Sequence, residues 1–148
     1  MTTLKILSSN FSHEEFIPKQ FSCQGSDINP SLQISGIPKE TKSLVLIVDD
    51  PDAPVGVWDH WVVWDIDPSV SLIEENSVPT GGIEGKNSWG RNDYGGPCPP
   101  SGTHRYYFKL FALDTKLKLP KNSNKKAVEK AMQSHILEKA ELMGKYKK

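Results

Sequence analysis

Short apolar runs punctuated by Gly and Pro set the character of this chain, and they predict strands at Thr3–Leu7, Leu32–Ile34, Leu44–Val48, Trp61–Ile66 and Tyr106–Leu113. Thr3–Leu7 alternates, with Leu4 and Ile6 on one face and Lys5 on the other, the pattern of a half-buried edge strand. Leu44-Val45-Leu46-Ile47-Val48 and Trp61-Val62-Val63-Trp64 are apolar on both faces, so they are expected to be central strands covered on both sides. Helical period occurs once. From Lys125 to Met143, apolar residues recur at Val128, Met132, Ile136, Ala140 and Met143, with Ala131 and Leu137 widening the stripe. This predicts a helix packed on the sheet, capped by Asn122, Ser123 or Asn124 and closed by Gly144.

Between these elements lie long stretches without period, at Phe21–Ser31, Asp49–Asp59 and Ile83–His104. Loops longer than about 12–15 residues in a compact domain are functional or disordered. These are dense in Pro, Gly, Trp and Asp instead of the Ser, Lys and Glu of disorder, and are read as ordered loops that build a site.

At 148 residues the chain fits a single domain, 1–148. Eighteen basic residues balance eighteen acidic ones, so no net field favours nucleic acid or an anionic membrane surface. The charge is nonetheless uneven. The segment from Lys116 onward is lysine-rich, while Asp49, Asp50, Asp52, Asp59, Asp65 and Asp67 crowd the middle and leave room for a local acidic site. No stretch approaches the roughly 20 apolar residues of a membrane span. The start, Met1-Thr2-Thr3-Leu4-Lys5, lacks the form of a secretory leader, so a cytoplasmic location is expected. The two cysteines, Cys23 and Cys98, are too few for a disulfide scaffold or, by themselves, a zinc site.

Two clusters carry the chemistry. Asp49-Asp50-Pro51-Asp52-Ala53-Pro54 runs off a predicted central strand, its prolines limiting the directions the carboxylates can take. His60 follows, beside Trp58 and just before the next strand. The second cluster is Gly95-Gly96-Pro97-Cys98-Pro99-Pro100-Ser101-Gly102-Thr103-His104-Arg105-Tyr106, where glycines would let a ligand approach main-chain N–H groups. Asp50-Pro51-Asp52-Ala53-Pro54 resembles the first signature of the phosphatidylethanolamine-binding proteins, and His104-Arg105-Tyr106 after a Gly/Pro loop resembles the second. Cys23-Gln24-Gly25, Asn29-Pro30-Ser31-Leu32, Gly96-Pro97-Cys98-Pro99-Pro100 and His135-Ile136-Leu137…Ala140-Glu141-Leu142 look like its prokaryotic, Raf-kinase-inhibitor-like branch. The likeness runs from about Phe21 to the end of the chain.

The resemblance implies a mostly β fold, a large antiparallel sheet packed on a smaller one with a C-terminal α-helix. It also implies a pocket for a phosphate-like or carboxylate-like group, a lipid headgroup among them. By motif position Asp50 is the pocket carboxylate and His60 and His104 are its histidines. Tyr106 lies on the wall, with Trp58, Gly96, Pro99 and Pro100 at the mouth. Pro54 belongs to the ligand-binding set, and Ala53–Pro54 is expected to be the cis peptide of the signatures. Only Val55-Gly56-Val57 separates Pro54 from Trp58, so the aromatic lid of longer relatives is expected to be reduced. The partners implied are a small anionic ligand, a kinase or protease target, and a second copy in a homodimer. No cofactor, catalytic residue or metal is implied.

Two imidazoles and backbone N–H groups would supply donors for an anion, and a carboxylate near a histidine favours the imidazolium. On this reading Asp50 orients a histidine, and Arg105 pairs with Asp52 instead of the ligand. Trp61 and Trp64 belong to the core, and the sequence leaves Trp89 open. His13 and His135 are given no role. The rival reading is a hydrolase or metal-dependent enzyme using Asp50, His60 and His104. Ser101 lies in no Gly-x-Ser-x-Gly elbow, and no His-x-x-x-His spacing occurs. Cys23 and Cys98 flank loops at one end of the sheet. A disulfide there would close a loop of about 76 residues, although a reducing cytoplasm argues against it.

Overall fold

The computed structural model describes residues 3–148. As expected, the fold is mostly β, with two antiparallel sheets and one α-helix among the described residues. Strands β1 (Lys5–Leu7), β2 (Leu32–Ser35) and β5 (Leu72–Ile73) form a three-stranded sheet in the order β1-β2-β5. Strands β3 (Ser43–Ala53), β4 (Gly56–Ile66), β6 (Ile83–Glu84), β7 (Thr103–Leu113) and β8 (Ile136–Lys147) form a five-stranded sheet in the order β6-β4-β3-β7-β8. The helix α1 spans Lys125–Met132.

The doubly apolar runs have a direct explanation, because successive side chains point to opposite faces of a strand. Leu44, Leu46 and Val48 of β3 join Trp61 and Val63 of β4 in the core between the sheets, against Leu4, Ile6, Leu32, Ile34 and Ile73. Their neighbours Val45, Ile47, Val62 and Trp64 point the other way and are covered by Val128 and Met132 of α1. Trp61 and Trp64 are thus both core residues, in different cores. β1 is an edge strand with Leu4 and Ile6 buried and Lys5 exposed around them, as its alternation predicts.

The predicted helix over Lys125–Met143 is corrected. Asn124 caps it, its side-chain oxygen accepting from the Ala127 N–H at 3.1 Å, but it stops at Met132. Gln133 is extended, Ser134 takes a left-handed φ of 69°, and the chain turns into β8. The run Ile136–Met143 is rich in helix formers, yet it pairs residue by residue with β7, from Thr103↔Lys147 to Leu113↔Ile136. Tertiary pairing overrides local propensity here. Only Val128 and Met132 of the predicted stripe are buried, and Ile136 is 44% exposed. Gly144 does not end a helix. A Cβ there would lie 2.5 Å from Ile17 and 2.6 Å from Phe11, so glycine permits their approach to β8.

The Asp49–Asp59 stretch is also not a free loop. β3 continues to Ala53 and β4 begins at Gly56, so it is the end of a hairpin, with register shifts on either side of Asp49 and Asp50. The Ala53–Pro54 bond is trans, as are the other peptide bonds among the described residues, which corrects the expectation of a cis proline. Phe21–Ser31 and most of Ile83–His104 are irregular and ordered, with β6 at the start of the latter and β7 at its end. Cys23 and Cys98 are joined by a disulfide, with Cα atoms 5.4 Å apart, so the two loops are tied together. No helix among the described residues is long and apolar enough to cross a membrane.

Candidate functional site

A cavity of about 270 Å³ opens where the end of β3, the start of β4 and the start of β7 meet the loop between β6 and β7. Asp50, Pro54, Trp58, His60, Pro99, Pro100, His104 and Tyr106 all line it, so the strand register brings together residues predicted from separate motifs. Ala53, Val55, Trp89 and Cys98 complete the wall. Gly96 does not. It is buried behind the wall, where its N–H donates to Asp27 Oδ1 at 2.7 Å, and a Cβ at this position would meet Phe21 and Asp27.

The two histidines are held differently. His104 Nδ1 lies 2.7 Å from Asp50 Oδ2, both side chains being buried. An ionised carboxylate can only accept, so the proton is assigned to Nδ1 and Nε2 is left for a ligand. Asp50 is in turn fixed through Oδ1, which accepts from the Asp52 N–H at 2.7 Å. His60 Nδ1 lies 2.8 Å from the Gly95 carbonyl oxygen, and the Gly95 N–H returns a bond to the His60 carbonyl at 3.0 Å. A carbonyl also only accepts, so His60 carries its proton on Nδ1 as well. Burial pushes the His60 pKa below the ordinary imidazole value, outweighing the pull of the Gly95 carbonyl and the Asp50 charge. The expected charging of His60 near neutral pH is therefore opposed by its surroundings. The backbone donors expected from the double glycine are also occupied, Gly95 N–H by His60 and Gly96 N–H by Asp27.

Tyr106 sits between the imidazoles. Its ring is edge-on to His60 with centroids 5.1 Å apart and nearly parallel to His104 at 6.5 Å. Its hydroxyl is buried, close to the Asp50 carboxylate and the Cys98 backbone. Burial, followed by the nearby Asp50 charge, pushes the phenol well above its usual range, so it remains an O–H donor.

Trp89, unassigned by sequence, packs edge-on to His60 at 5.0 Å and to Trp58 at 5.7 Å, with the Arg91 guanidinium 5.2 Å over its ring. A Cβ on Gly95 would fall inside the Trp89 indole, so this glycine lets the tryptophan close over the carbonyl that orients His60. Its signal in the sequence was the pairing of a lone Trp with a downstream double glycine, which no strand or helix period reveals.

The crowd of aspartates is not an acidic patch. Asp52 makes a forked pair with Arg105, Nε to Oδ2 at 2.9 Å and Nη2 to Oδ1 at 2.8 Å, so Arg105 is engaged as expected. Those bonds hold the Asp52 carboxyl below its usual pKa. Asp49 is buried against Lys109 at 3.1 Å and Lys125 at 3.3 Å, and Lys125 also reaches Asp59 at 2.7 Å. Asp65 accepts from the Leu117 and Lys118 N–H groups. His13 accepts from the Met143 N–H and His135 pairs with Asp114, both outside the cavity lining.

Comparison with known proteins agrees with this architecture. Residues 7–147 match the profile of a family described as phosphatidylethanolamine-binding protein. A UPF0098 protein of Pyrococcus horikoshii is 46% identical over 99% of this chain and 77% of its own length. A UPF0098 protein of Methanothermobacter thermautotrophicus is 46% identical over 93% of this chain and 95% of its own. Among solved structures, one described as a phosphatidylethanolamine-binding protein homologue from Chlamydia trachomatis superposes with a TM-score of 0.95 at 42% identity, covering 100% of this chain and 99% of that one. E. coli YbcL, described as a member of the mammalian PEBP family, gives 0.92 at 31% identity, with 99% of each chain covered. The chain belongs to the phosphatidylethanolamine-binding protein family.

Proposed function

We propose that this protein is a binding module for a small anion, a phosphate, a phosphorylated headgroup or a carboxylate, and that the cavity around Asp50, His60, His104 and Tyr106 is its site. The observation that carries the reading is the convergence of His60 and His104 on one cavity, each with Nδ1 held by a protein acceptor, which leaves its other ring nitrogen for a ligand. The role that follows is regulatory: the bound anion, or a phosphorylated or acidic segment of a kinase or protease, is held and not turned over.

The alternative, a hydrolase or metal-dependent enzyme built on the same residues, has less support. Both Nδ1 atoms and both Asp50 oxygens are committed within the protein, and Ser101 is not among the cavity residues. Among the described residues no group of His, Cys, Asp or Glu side chains comes together as a metal-ligand set. Calorimetric titration with inorganic phosphate and acetate, on wild type and His104→Ala, tests the proposal. Saturable one-site binding that His104→Ala weakens at least tenfold is expected. Absence of binding by wild type at millimolar ligand would reject it, and release of alcohol from a panel of phosphoesters would favour the enzyme.

A further inference from the structure

His60 is buried at the back of the cavity with its ring fixed at three points. The Gly95 carbonyl accepts from its Nδ1–H, and the rings of Trp89 and Tyr106 hold it edge-on. Nδ1 is the ring nitrogen that bonds within the protein among the described residues, so Nε2 is the one left to a ligand. In the neutral tautomer fixed by Gly95, that nitrogen is a lone pair, hence an acceptor. Charging it would make it a donor, but burial opposes the imidazolium. The groups set around it are Asp50 and Asp49 on β3, Asp59 beside it on β4, and His104 and Tyr106 on β7, with Arg91 stacked on Trp89 in the loop. Of these, Asp50, His104 and Tyr106 share the cavity. Asp49 and Asp59 are engaged by Lys125.

We infer that His60 Nε2 is a hydrogen-bond acceptor for the ligand, and that the pocket therefore selects a phosphomonoester carrying a P–OH proton over a phosphodiester of equal charge. The inference rests on the anion-binding reading above and specifies its ligand. A monoester below its second pKa of about 6 carries one negative charge and one proton. Its P–OH can donate to His60 Nε2. A diester also carries one charge but has no proton to give. Placed in the same cavity, its oxygens face the His60 lone pair and the Asp50 carboxylate. Sites built to pair with a hydrogen-bonding group reject analogues that lack it, because the buried polar atom is left without a partner. On this argument the headgroup of an intact phospholipid, which is a diester, is the poorer ligand, and a terminal phosphate is the better one.

The test compares O-phosphorylethanolamine with glycerophosphorylethanolamine by calorimetry at pH 5.5 and pH 8. The two share the ammonium group and differ at the phosphate. Both ligands meet the same protein groups at a given pH, so the ratio of their affinities isolates the ligand's proton. At pH 5.5 the monoester should bind at least tenfold more tightly, and at pH 8, where its proton is lost, the ratio should fall to within about threefold. A diester that binds as well as the monoester at pH 5.5, or a ratio unmoved by pH, overturns the inference while leaving an anion site in place. If neither ligand binds at either pH, the anion-binding reading itself fails. In His60→Gln, whose amide supplies a donor as well as an acceptor, the pH 5.5 ratio should collapse to within about threefold. Imidazole nitrogen NMR on the wild-type protein gives an answer that needs no variant. His60 Nε2 should report as unprotonated at pH 6 with the monoester bound, and a protonated Nε2 there rejects the inference.

Discussion

Asp50 and His104 meet across neighbouring strands, Oδ2 of one accepting from Nδ1 of the other at 2.7 Å, in a place that excludes most water from both. The pair fixes which nitrogen of His104 is free, and the carboxylate places a negative charge at the wall of the cavity. Asp50→Asn keeps the shape and removes that charge. It is expected to weaken phosphate binding about tenfold, or ~1.4 kcal/mol. Titration calorimetry at pH 6.5 measures this, and tighter binding by the variant would mean that Asp50 acts mainly by repulsion.

The burial of His60 has a signature in acid. Its folded pKa is depressed, so the unfolded chain binds the proton more readily. The stability it contributes is complete above the unfolded value of about 6.5 and is lost as pH falls from there through the folded pKa. Wild type should become easier to unfold with urea as pH drops below about 6.5, and His60→Asn should show a shallower dependence over that window. Equal slopes would mean that other groups dominate.

The corrected terminal strand reverses one intuition about stability. Ile136 lies on the stripe that a helix would bury, yet it is 44% exposed, whereas Leu142 is 1% exposed in the core between the sheets. Ile136→Asp should shift the melting midpoint by less than about 1 kcal/mol in stability terms. Leu142→Asp buries an unpaired carboxylate and should cost several kcal/mol, enough to unfold a domain of ordinary stability.

Cys23 and Cys98 are predicted to resist alkylation unless reductant is added. Reduction should lower stability by up to about 4 kcal/mol through the entropy of the opened loop. Since Cys98 also lines the cavity, thiol labelling by mass spectrometry bears on compartment as well as on fold. Such bonds persist in oxidising surroundings and are rare in a reducing cytoplasm.

Much of this was legible in the chain. The doubly apolar runs at Leu44–Val48 and Trp61–Trp64 gave the central strands because each had to fill two cores at once. The motif residues Asp50, His60 and His104 converge because they sit at the same end of adjacent strands. What period could not reveal was set by pairing at long range. Ala140-Glu141-Leu142-Met143 satisfies a helical stripe and a β alternation alike, and only β7 decides between them. The Gly95 and Gly96 amides looked free as sequence, but their use by His60 and Asp27 depends on loops brought together in space. Trp89 became visible only once Gly95 was seen to lie beneath it.

β8 forms one rim of the large sheet, and its outer side is closed by an early segment of the chain. Glu14 donates to the Met143 carbonyl, Lys145 donates to Glu15, and Ile17 donates to Lys145, at 2.7–2.9 Å. That closure joins residues 14–17 to residues 143–145, so it cannot form before β8 has docked on β7. Until β8 docks, β7 offers a bare edge for which a strand of another chain can compete.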